Sequence, residues 1–249
     1  PFGLWTVAAA PSWGVAVGLL GGALLLMPLP WRLRLLGLPL LLPLLAPPVY
    51  RPAPGSFEVV AADIGQGTAV LVRTRQHLLL YDAGPRYSPQ ADAAQRVLLP
   101  LLQARGERHI DLLMLSHSDT DHVGGAASLL AQLPVRALSS SLPEGHALRR
   151  AGVPHRRCLA GQAWDWDGVR FELLHPLPGD FAQAARPNAL SCVLRVQAGD
   201  GRSLLLTGDI EAAQEAALLA RAGSAIRRQA LVVPHHGSKT SSTAAFVGA

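Results

Sequence analysis

Apolar and polar positions are distributed on two different scales along this 249-residue chain. Over residues 1–50 the polar phase is almost missing. Residues 1–31 carry no charge, and 13–29 form a nearly unbroken apolar run long enough to cross a bilayer as a helix. A secretory leader would need a basic start and a shorter apolar core, so the run predicts a transmembrane helix over about 3–30. Pro28 and Pro30 end it, and Trp31-Arg-Leu-Arg34 makes a short basic, aromatic turn. A second apolar segment over 35–50 is interrupted by Pro39, Pro43, Pro47 and Pro48, which predicts a second span or a re-entrant or interfacial segment. Gly14, Gly18 and Gly22 recur every fourth residue, a spacing that suits close packing against another membrane helix.

After a stiff, turn-rich linker over 51–56, the pattern changes to short apolar runs separated by turns. Strands are predicted over 57–62, 69–73 and 77–81, close enough in sequence to pair antiparallel. Gly65-Gln-Gly67 lies between the first two as a hairpin turn; it lacks the spacing and the following helix of a phosphate loop. Helical spacing over 90–105 leads to a strand over 110–115 and a helix over 123–132. Less regular short strands or turns follow over 135–138, 152–159 and 163–166, then a clear strand over 169–174. A loop over 177–187 precedes strands over 191–197 and 203–206, a helix over 211–221 and a strand over 230–233. This order predicts a membrane part over 1–50 and an α/β sandwich over 57–249 with its chemistry at strand ends.

Charge sharpens that division. All 17 acidic residues lie beyond position 56 beside 19 basic ones, a formal +2 for the globular part out of +5 overall. Arg32, Arg34 and Arg51 flank apolar segments and read as membrane-orientation residues; with two crossings they put the globular part outside the cytoplasm. Only Cys158 and Cys192 occur, which excludes a disulfide scaffold and a cysteine zinc site and leaves one pairing open. The chain starts at Pro1 without an initiator Met, as expected of a piece of a larger membrane protein.

The chemistry concentrates at 116–125, Ser-His-Ser-Asp-Thr-Asp-His-Val-Gly-Gly, directly after the strand over 110–115. A cap for the next helix needs one carboxylate. It gives no reason for His117 and His122 to flank Asp119 and Asp121, so the cluster predicts a metal site with room for two neighbouring cations.

Taken with Tyr-Asp82-Ala-Gly, Thr-Gly-Asp209 and Pro234-His-His-Gly-Ser238, this cluster resembles the metallo-β-lactamase superfamily. Asp-Ile-Gly-Gln-Gly at 63–67, Asp119 itself, Asn-Ala-Leu-Ser at 188–191 and His-His-Gly-Ser-Lys-Thr-Ser-Ser at 235–242 resemble, more narrowly, the C-terminal domain of the ComEC family of competence DNA-uptake channels. The resemblance implies a metallo-β-lactamase-like αββα sandwich, shortened at its C-terminal end and preceded by one or two transmembrane helices. It implies two divalent cations: His117 and Asp119 for the first, Asp121 and His122 for the second, Asp209 bridging, and His235 or His236 completing the second. Asp121 and Asp209 would be catalytic, while Asp82 and Asn188 would orient ligands from behind. Asp119 and Asn188 stand where the superfamily usually has histidines. Oxygen donors there harden the first site toward Mn²⁺ or Mg²⁺ as readily as Zn²⁺.

Paired cations suit in-line phosphodiester hydrolysis, and Ser238, Lys239, Thr240 and Ser241 follow the histidines as candidate phosphate contacts, or as a polar loop and cap. His175 is a structural histidine or an alternative ligand. Trp164 and Trp166 form a packed hairpin or a stacking platform for bases, and Arg149, Arg150, Arg156 and Arg157 a solvated face or a DNA contact. The function implied is an extracytoplasmic, metal-dependent nuclease domain of a bacterial inner-membrane competence channel, degrading the strand that is not imported. Its partners would be DNA, the membrane, the channel's upstream helices and further copies of itself. The alternatives are a catalytically weak DNA-guiding domain of the same channel, or a membrane-tethered metallo-hydrolase of a small ester or phosphodiester.

Overall fold

The computed structural model describes residues 7–183, 186–226 and 228–249, without the side chains of residues 224 and 225. The chain divides into two compact units, residues 1–50 with 99–108, and residues 51–98 with 109–249.

In the first unit the apolar run forms a helix of 15 residues, Ser12–Leu26, followed by the short helical pieces Trp31–Arg34, Gly37–Leu40 and Leu42–Leu45. No helix among the described residues is long and apolar enough to cross a membrane. This corrects the expected spans over 3–30, whose first residues lie outside the described ones, and 35–50. The reason is proline placement. Pro11 sits at the helix start with extended backbone and Pro28 follows its end, leaving about 22 Å of helix against a hydrocarbon core of about 30 Å. The prolines of 35–50 break the second segment into single turns. The glycine stripe is also re-read. Gly14, Gly18 and Gly21 are buried; a Cβ on Gly14 would meet Pro43, one on Gly18 would strike Leu44, and one on Gly21 would lie 2.7 Å from the Gly37 carbonyl, while Gly22 faces open space. Small residues let the chain fold back on its own next segment.

The second unit is a two-sheet sandwich. The strands are β1 (Glu58–Ala61), β2 (Val70–Arg73), β3 (Leu78–Tyr81), β4 (Arg86–Ser88), β5 (Ala91–Asp92), β6 (Leu112–Leu115), β7 (Leu138–Ser140), β8 (His155–Arg157), β9 (Ala163–Trp166), β10 (Val169–His175), β11 (Val193–Gln197), β12 (Ser203–Leu206) and β13 (Ala230–Leu231). One sheet has the order β1-β2-β3-β6-β7-β8, and the facing one β13-β12-β11-β10-β9. The expected antiparallel start is present in β1-β2-β3, after which β3, β6, β7 and β8 run parallel.

Alternation explains the layers. Val70, Val72, Leu79, Tyr81 and Met114 of one sheet meet Phe171, Leu173, Leu194, Val196, Leu204 and Leu206 of the other in a single core. The intervening Leu205 points outward into a second core with Leu218 of the helix Ala212–Ala222, Leu174, Ile210 and Phe246. Leu71, Leu78, Leu80 and Leu113 are also buried. Strands buried on both faces read as continuous apolar runs, hence Leu-Leu-Leu-Tyr in β3 and Leu-Leu-Met-Leu in β6. Trp164 and Trp166 belong to the β9-β10 hairpin, with Trp164 stacked on Phe171 at 5.2 Å and Trp166 on His77 at 4.8 Å.

Two helices differ from expectation. The segment 90–105 begins with β5, continues as a wider π-type turn over Ala94–Leu98 and becomes α-helical only over Leu99–Ala104. The helix expected over 123–132 starts earlier, at Thr120–Val123, and resumes at Ala126–Gln132 after Gly124-Gly125. Cys158 and Cys192 form a disulfide inside the central core, joining the loop after β8 to the residue before β11 and so one sheet to the other.

Candidate metal centre

Parallel pairing sends several strand ends to one edge of the sandwich. Asp82 follows β3, Ser116 and His117 follow β6, Asp209 follows β12 and His235-His236 follow β13. Carboxyl ends of parallel strands are where α/β folds place ligands, because the connecting loops there are free of the sheet ladder. Tight backbone contacts hold these loops together. Thr68 N donates to the Asp121 carbonyl at 3.2 Å and Ala83 N to that of His122 at 2.7 Å. Gly67 has φ +114°, and a Cβ on it would strike the Asp121 carbonyl, so the Asp-Ile-Gly-Gln-Gly turn is pressed against the cluster. Gly208, at φ +55°, leaves the same room beside Ser116 and Ser191.

A buried hydrogen-bond chain sets the imidazoles. Asp82, fully buried at φ +60°, accepts from Ser116 N at 2.6 Å, from Ser116 Oγ at 2.7 Å and from His122 Nδ1 at 2.7 Å. The Ser116 hydroxyl hydrogen is committed to Asp82, so Ser116 Oγ accepts from His117 Nδ1 at 2.9 Å. One carboxylate thereby keeps both Nδ1 atoms protonated and points both Nε2 atoms the opposite way. His235 is set by the same logic: Thr240 Oγ1 donates to Glu211 Oε1 at 3.1 Å and accepts from His235 Nδ1 at 3.2 Å.

Those free atoms converge. Asp121, His122, Asp209 and His236 each offer a ligand atom within 4.8 Å of all the others. His122 Nε2 lies 3.1 Å from Asp209 Oδ1 and 3.8 Å from Asp121 Oδ2, while His236 Nε2 lies 3.3 Å from Asp121 Oδ2 and 3.6 Å from Asp209 Oδ2. Ligand bonds of 2.0–2.2 Å to one cation give edges of roughly 2.8–3.6 Å between neighbouring donors, so a small inward shift of these side chains would close them on one divalent ion. Burial decides the matter. His117 Nε2 is buried without a hydrogen-bond partner, a state costly enough to be rare unless another ligand satisfies the group, and the buried His122 Nε2 and Asp209 Oδ1 have each other at 3.1 Å, a pair that a cation would replace.

The charges agree. Burial and the adjacent His122 push His117 down to about 4, so it is a neutral donor at pH 7. Burial also opposes a charge on His122, but Asp82 and Asp209 together outweigh it and raise His122 to about 10. The pairing with His236 holds Asp121 down at about 2 against its own burial, and the same pairing raises His236. Burial works to raise Asp209, and His122, His117 and His236 reverse this and lower it. Burial and Asp121 raise Asp119. In the metal-free protein, protons on imidazole balance the carboxylates that a cation would otherwise balance.

The model of the metallo-β-lactamase superfamily matches residues 62–248. This chain belongs to the metallo-β-lactamase superfamily. Competence protein ComA of Neisseria gonorrhoeae is 38% identical over 248 residues, 98% of this chain and 33% of that protein. Uncharacterized protein YcaI of Escherichia coli is 36% identical over 193 residues, 78% of this chain and 24% of that protein. Recombination protein 2 of Haemophilus influenzae is 35% identical over 189 residues, 76% and 22% respectively. ComA and Recombination protein 2 belong to the ComEC/Rec2 family, as the motifs led one to expect. The chain spans a third or less of the length of each of these relatives.

Placed in this superfamily frame, the anticipated residues divide into three groups. His236, not His235, joins Asp121, His122 and Asp209. His117 Nε2 and Asp119 Oδ2 meet each other at 3.6 Å beside that cluster without entering it. His235 Nε2 sits 3.8 Å from Asp209 Oδ2 and 3.5 Å from Asn188 Nδ2. Asp119 occupies a helix N-cap position, yet its side chain makes no capping bond.

Two of the polar residues after the histidines are engaged within the protein: Ser241 Oγ donates to the Pro234 carbonyl at 2.9 Å and Thr240 bonds Glu211 and His235. Of the four anticipated phosphate contacts these two hold the loop's own shape, because a hydroxyl beside unpaired carbonyls and carboxylates satisfies them first. His175 stands apart, donating through Nε2 to the Ala189 carbonyl at 2.8 Å. Ser116, Glu211 and Glu215 escaped sequence reasoning. Glu215 is buried and accepts from Ser242 N at 2.5 Å and Thr243 N at 2.9 Å, pinning the loop after the histidines. Only Ser116 carried a signal, its place directly before the cluster.

A cleft of about 420 Å³ between Trp164, Trp166, His155 and Asp111 opens at the amino ends of β6 and β7, away from the ligands.

Proposed function

We propose that the chain is a metal-dependent phosphodiesterase domain of a DNA-uptake protein, acting on the extracytoplasmic face of the bacterial inner membrane and hydrolysing the strand that is not imported. The coarser statement, a competence-related metallo-hydrolase domain, follows from the superfamily and the named relatives. The observation that carries the finer one is the convergence of ligand atoms of Asp121, His122, Asp209 and His236 within 4.8 Å of one another, next to the His117-Asp119 pair with its buried, unpartnered His117 Nε2. "Competence" and "recombination" in the relatives' names point to DNA.

Asp121, His122, Asp209 and His236 would hold one divalent cation, with His117, Asp119 and the second oxygen of Asp209 offering donors to another; Mn²⁺, Zn²⁺ and Mg²⁺ suit this mixed set. Such cations supply Lewis-acid polarisation of a phosphoryl oxygen and a hydrolytic nucleophile at neutral pH. The protein's own part is order. Asp82 and Ser116 hold two imidazoles in the ligating tautomer, and the ionised Asp121 and Asp209 fix the charge of the site. The Cys158–Cys192 disulfide supports an oxidising, extracytoplasmic location. The helix Ser12–Leu26, with Trp13, Leu19, Leu20 and Leu26 exposed, supports contact with a membrane or an apolar partner.

A weakly catalytic, DNA-guiding domain is the second reading. It is favoured by Asp119 and Asn188 and by the absence of His117 and Asp119 from the four-residue cluster.

The experiment is cleavage of single- and double-stranded DNA by the full chain with Mn²⁺, Mg²⁺ or Zn²⁺, beside Asp121→Ala. Metal-dependent cleavage that falls at least about a hundredfold in the variant supports the first reading. DNA binding without cleavage under any metal replaces it with the second.

A further inference from the structure

A groove of about 390 Å³ is lined by His117 and Ser118, by the apolar Leu142, Pro143 and Leu190, and by Arg157, Phe181 and Arg186. Three features define what fits. It starts at His117, beside the metal centre, so an occupant adjoins whatever reacts there. Among the described residues that line it none is acidic, and two are arginines. Finally, one of these arginines is held ready: the Arg157 guanidinium lies 4.5 Å from the Phe181 ring centre and donates to Glu144 Oε1 at 3.1 Å. Glu144 is 82% exposed. A pair so open to water contributes little, and a phosphate can take the carboxylate's place without stranding a buried charge. Arg186, which also lines the groove, is exposed.

We infer that this groove binds the nucleotide next to the reacting linkage of a single nucleic-acid strand, with Arg157 and Arg186 on its phosphates and the Leu142-Pro143-Leu190 side under its sugar or base. The assignment deepens the phosphodiesterase reading and rests on it for the identity of the reacting group. Guanidinium groups match phosphate oxygens in pairs, and a guanidinium already stacked on a ring loses less freedom on binding. Bases lie on apolar and aromatic surfaces without regard to sequence. The volume is that of a small-ligand site, room for about one nucleotide and not for two paired strands. A neutral ester or lactam would leave both arginines unused.

The test is the salt dependence of binding, which does not require turnover. A labelled short oligothymidylate is titrated with the full chain by fluorescence anisotropy between about 50 and 200 mM salt, for the parent protein, Arg157→Ala, Arg186→Ala and the double variant. Each lost phosphate contact lowers the slope of log K against log salt by about 0.7 for a single strand, so the double variant loses about 1.4, with affinity down about tenfold or more. Arg157→Lys and Arg186→Lys keep the charge and restore the slope. Arg170→Ala, which removes an equal charge from the exposed Arg170-Asp165 pair, leaves it unmoved.

A double variant with the parent's slope overturns the assignment, as does an equal fall in Arg170→Ala. A duplex of the same length losing as much as the single strand overturns its single-strand part. Cleavage assays run alongside separate the two ideas. If the slope falls but no metal supports cleavage of the oligonucleotide or of a small aryl phosphodiester, the hydrolase reading fails and the groove stands. If cleavage is present and the slope is unmoved, the reverse holds. With both intact, the ratio of oligonucleotide to aryl-diester turnover falls about tenfold in the double variant.

Discussion

Replacing Asp82 with Asn tests the buried chain behind the metal centre. The Asp82 carboxylate accepts three hydrogen bonds, from Ser116 N, Ser116 Oγ and His122 Nδ1, and is fully buried. An amide of the same shape has one accepting oxygen and a donating nitrogen, so at least one donor pair must face each other. Hydrogen bonds to a charged group contribute about 1.5–3 kcal/mol each, and losing one while weakening the others costs about 3 kcal/mol. For a chain of this size that lowers Tm by roughly 6–12 °C.

The pH dependence identifies the cause. His122 is raised to about 10 in the metal-free fold, above its unfolded value of about 6.5. Its contribution is therefore fully present below pH 6.5 and is lost as pH rises toward 10. The stability gap between parent and Asp82→Asn is thus widest near pH 6 and narrows toward pH 10. Metal affinity falls 10- to 100-fold, the usual effect of removing a partner that orients a ligand. Scanning calorimetry of metal-free protein from pH 6 to 10, with chelator competition for Mn²⁺ and Zn²⁺, reads both. A gap independent of pH, or an unchanged affinity, would refute the account of Asp82 as the group that holds His122.

Metal binding displaces the His122 proton, so titration calorimetry in buffers of different ionisation enthalpy at pH 8 should show about one proton released, and affinity should rise with pH until about 10; no release would mean His122 is neutral in the free protein. Replacing both cysteines with Ala opens a crosslink across 34 residues, worth about 4 kcal/mol by loop entropy, so the urea midpoint should fall and dithiothreitol should move the parent the same way. Gly208→Ala forces a Cβ to within 2.9 Å of Ser116 and Ser191 at a φ of +55°; it should lower metal affinity together with Tm, whereas Gly22→Ala, in open space, should leave both unchanged. Leu218→Ala, which empties part of the outer core over β12, should cost 2–5 kcal/mol in urea unfolding with little change in metal affinity.

The parts of this molecule that were legible in the chain are those in which local pattern and tertiary role coincide. β3, β6 and β12 are apolar because both their faces are covered, and the cluster over 116–122 stands out because nothing structural asks for it. The choice between His235 and His236 was not legible. Adjacent histidines differ only in which way the backbone turns each of them, and that turn is a left-handed bend set by distant partners. Thr240 and Ser241 look like phosphate contacts until Glu211 and the Pro234 carbonyl, nearby only in space, claim their hydroxyls. Hydropathy over 13–29 measured apolar length correctly but not the helix stop at its ends or the glycine contacts that fold it back on 37–45. Cys158 and Cys192 pair because the sandwich brings two sheets together, and spacing carries no trace of that.

His235 and His236 have φ of 48° and 52°, and Gly237 follows at 77°. Left-handed backbone costs a side-chain-bearing residue roughly 1–2 kcal/mol, so two neighbours hold the turn against its own preference, pinned from outside by Ser241 and Glu215. His122, braced by Asp82, has no such tension. The two imidazoles that would share a cation therefore differ in character: one belongs to the rigid sandwich, the other to a cocked turn that relaxes by letting go. Loss of the ion should show first as faster amide exchange at 235–238 while 116–122 stays protected, so that this centre opens from the histidine side like a latch.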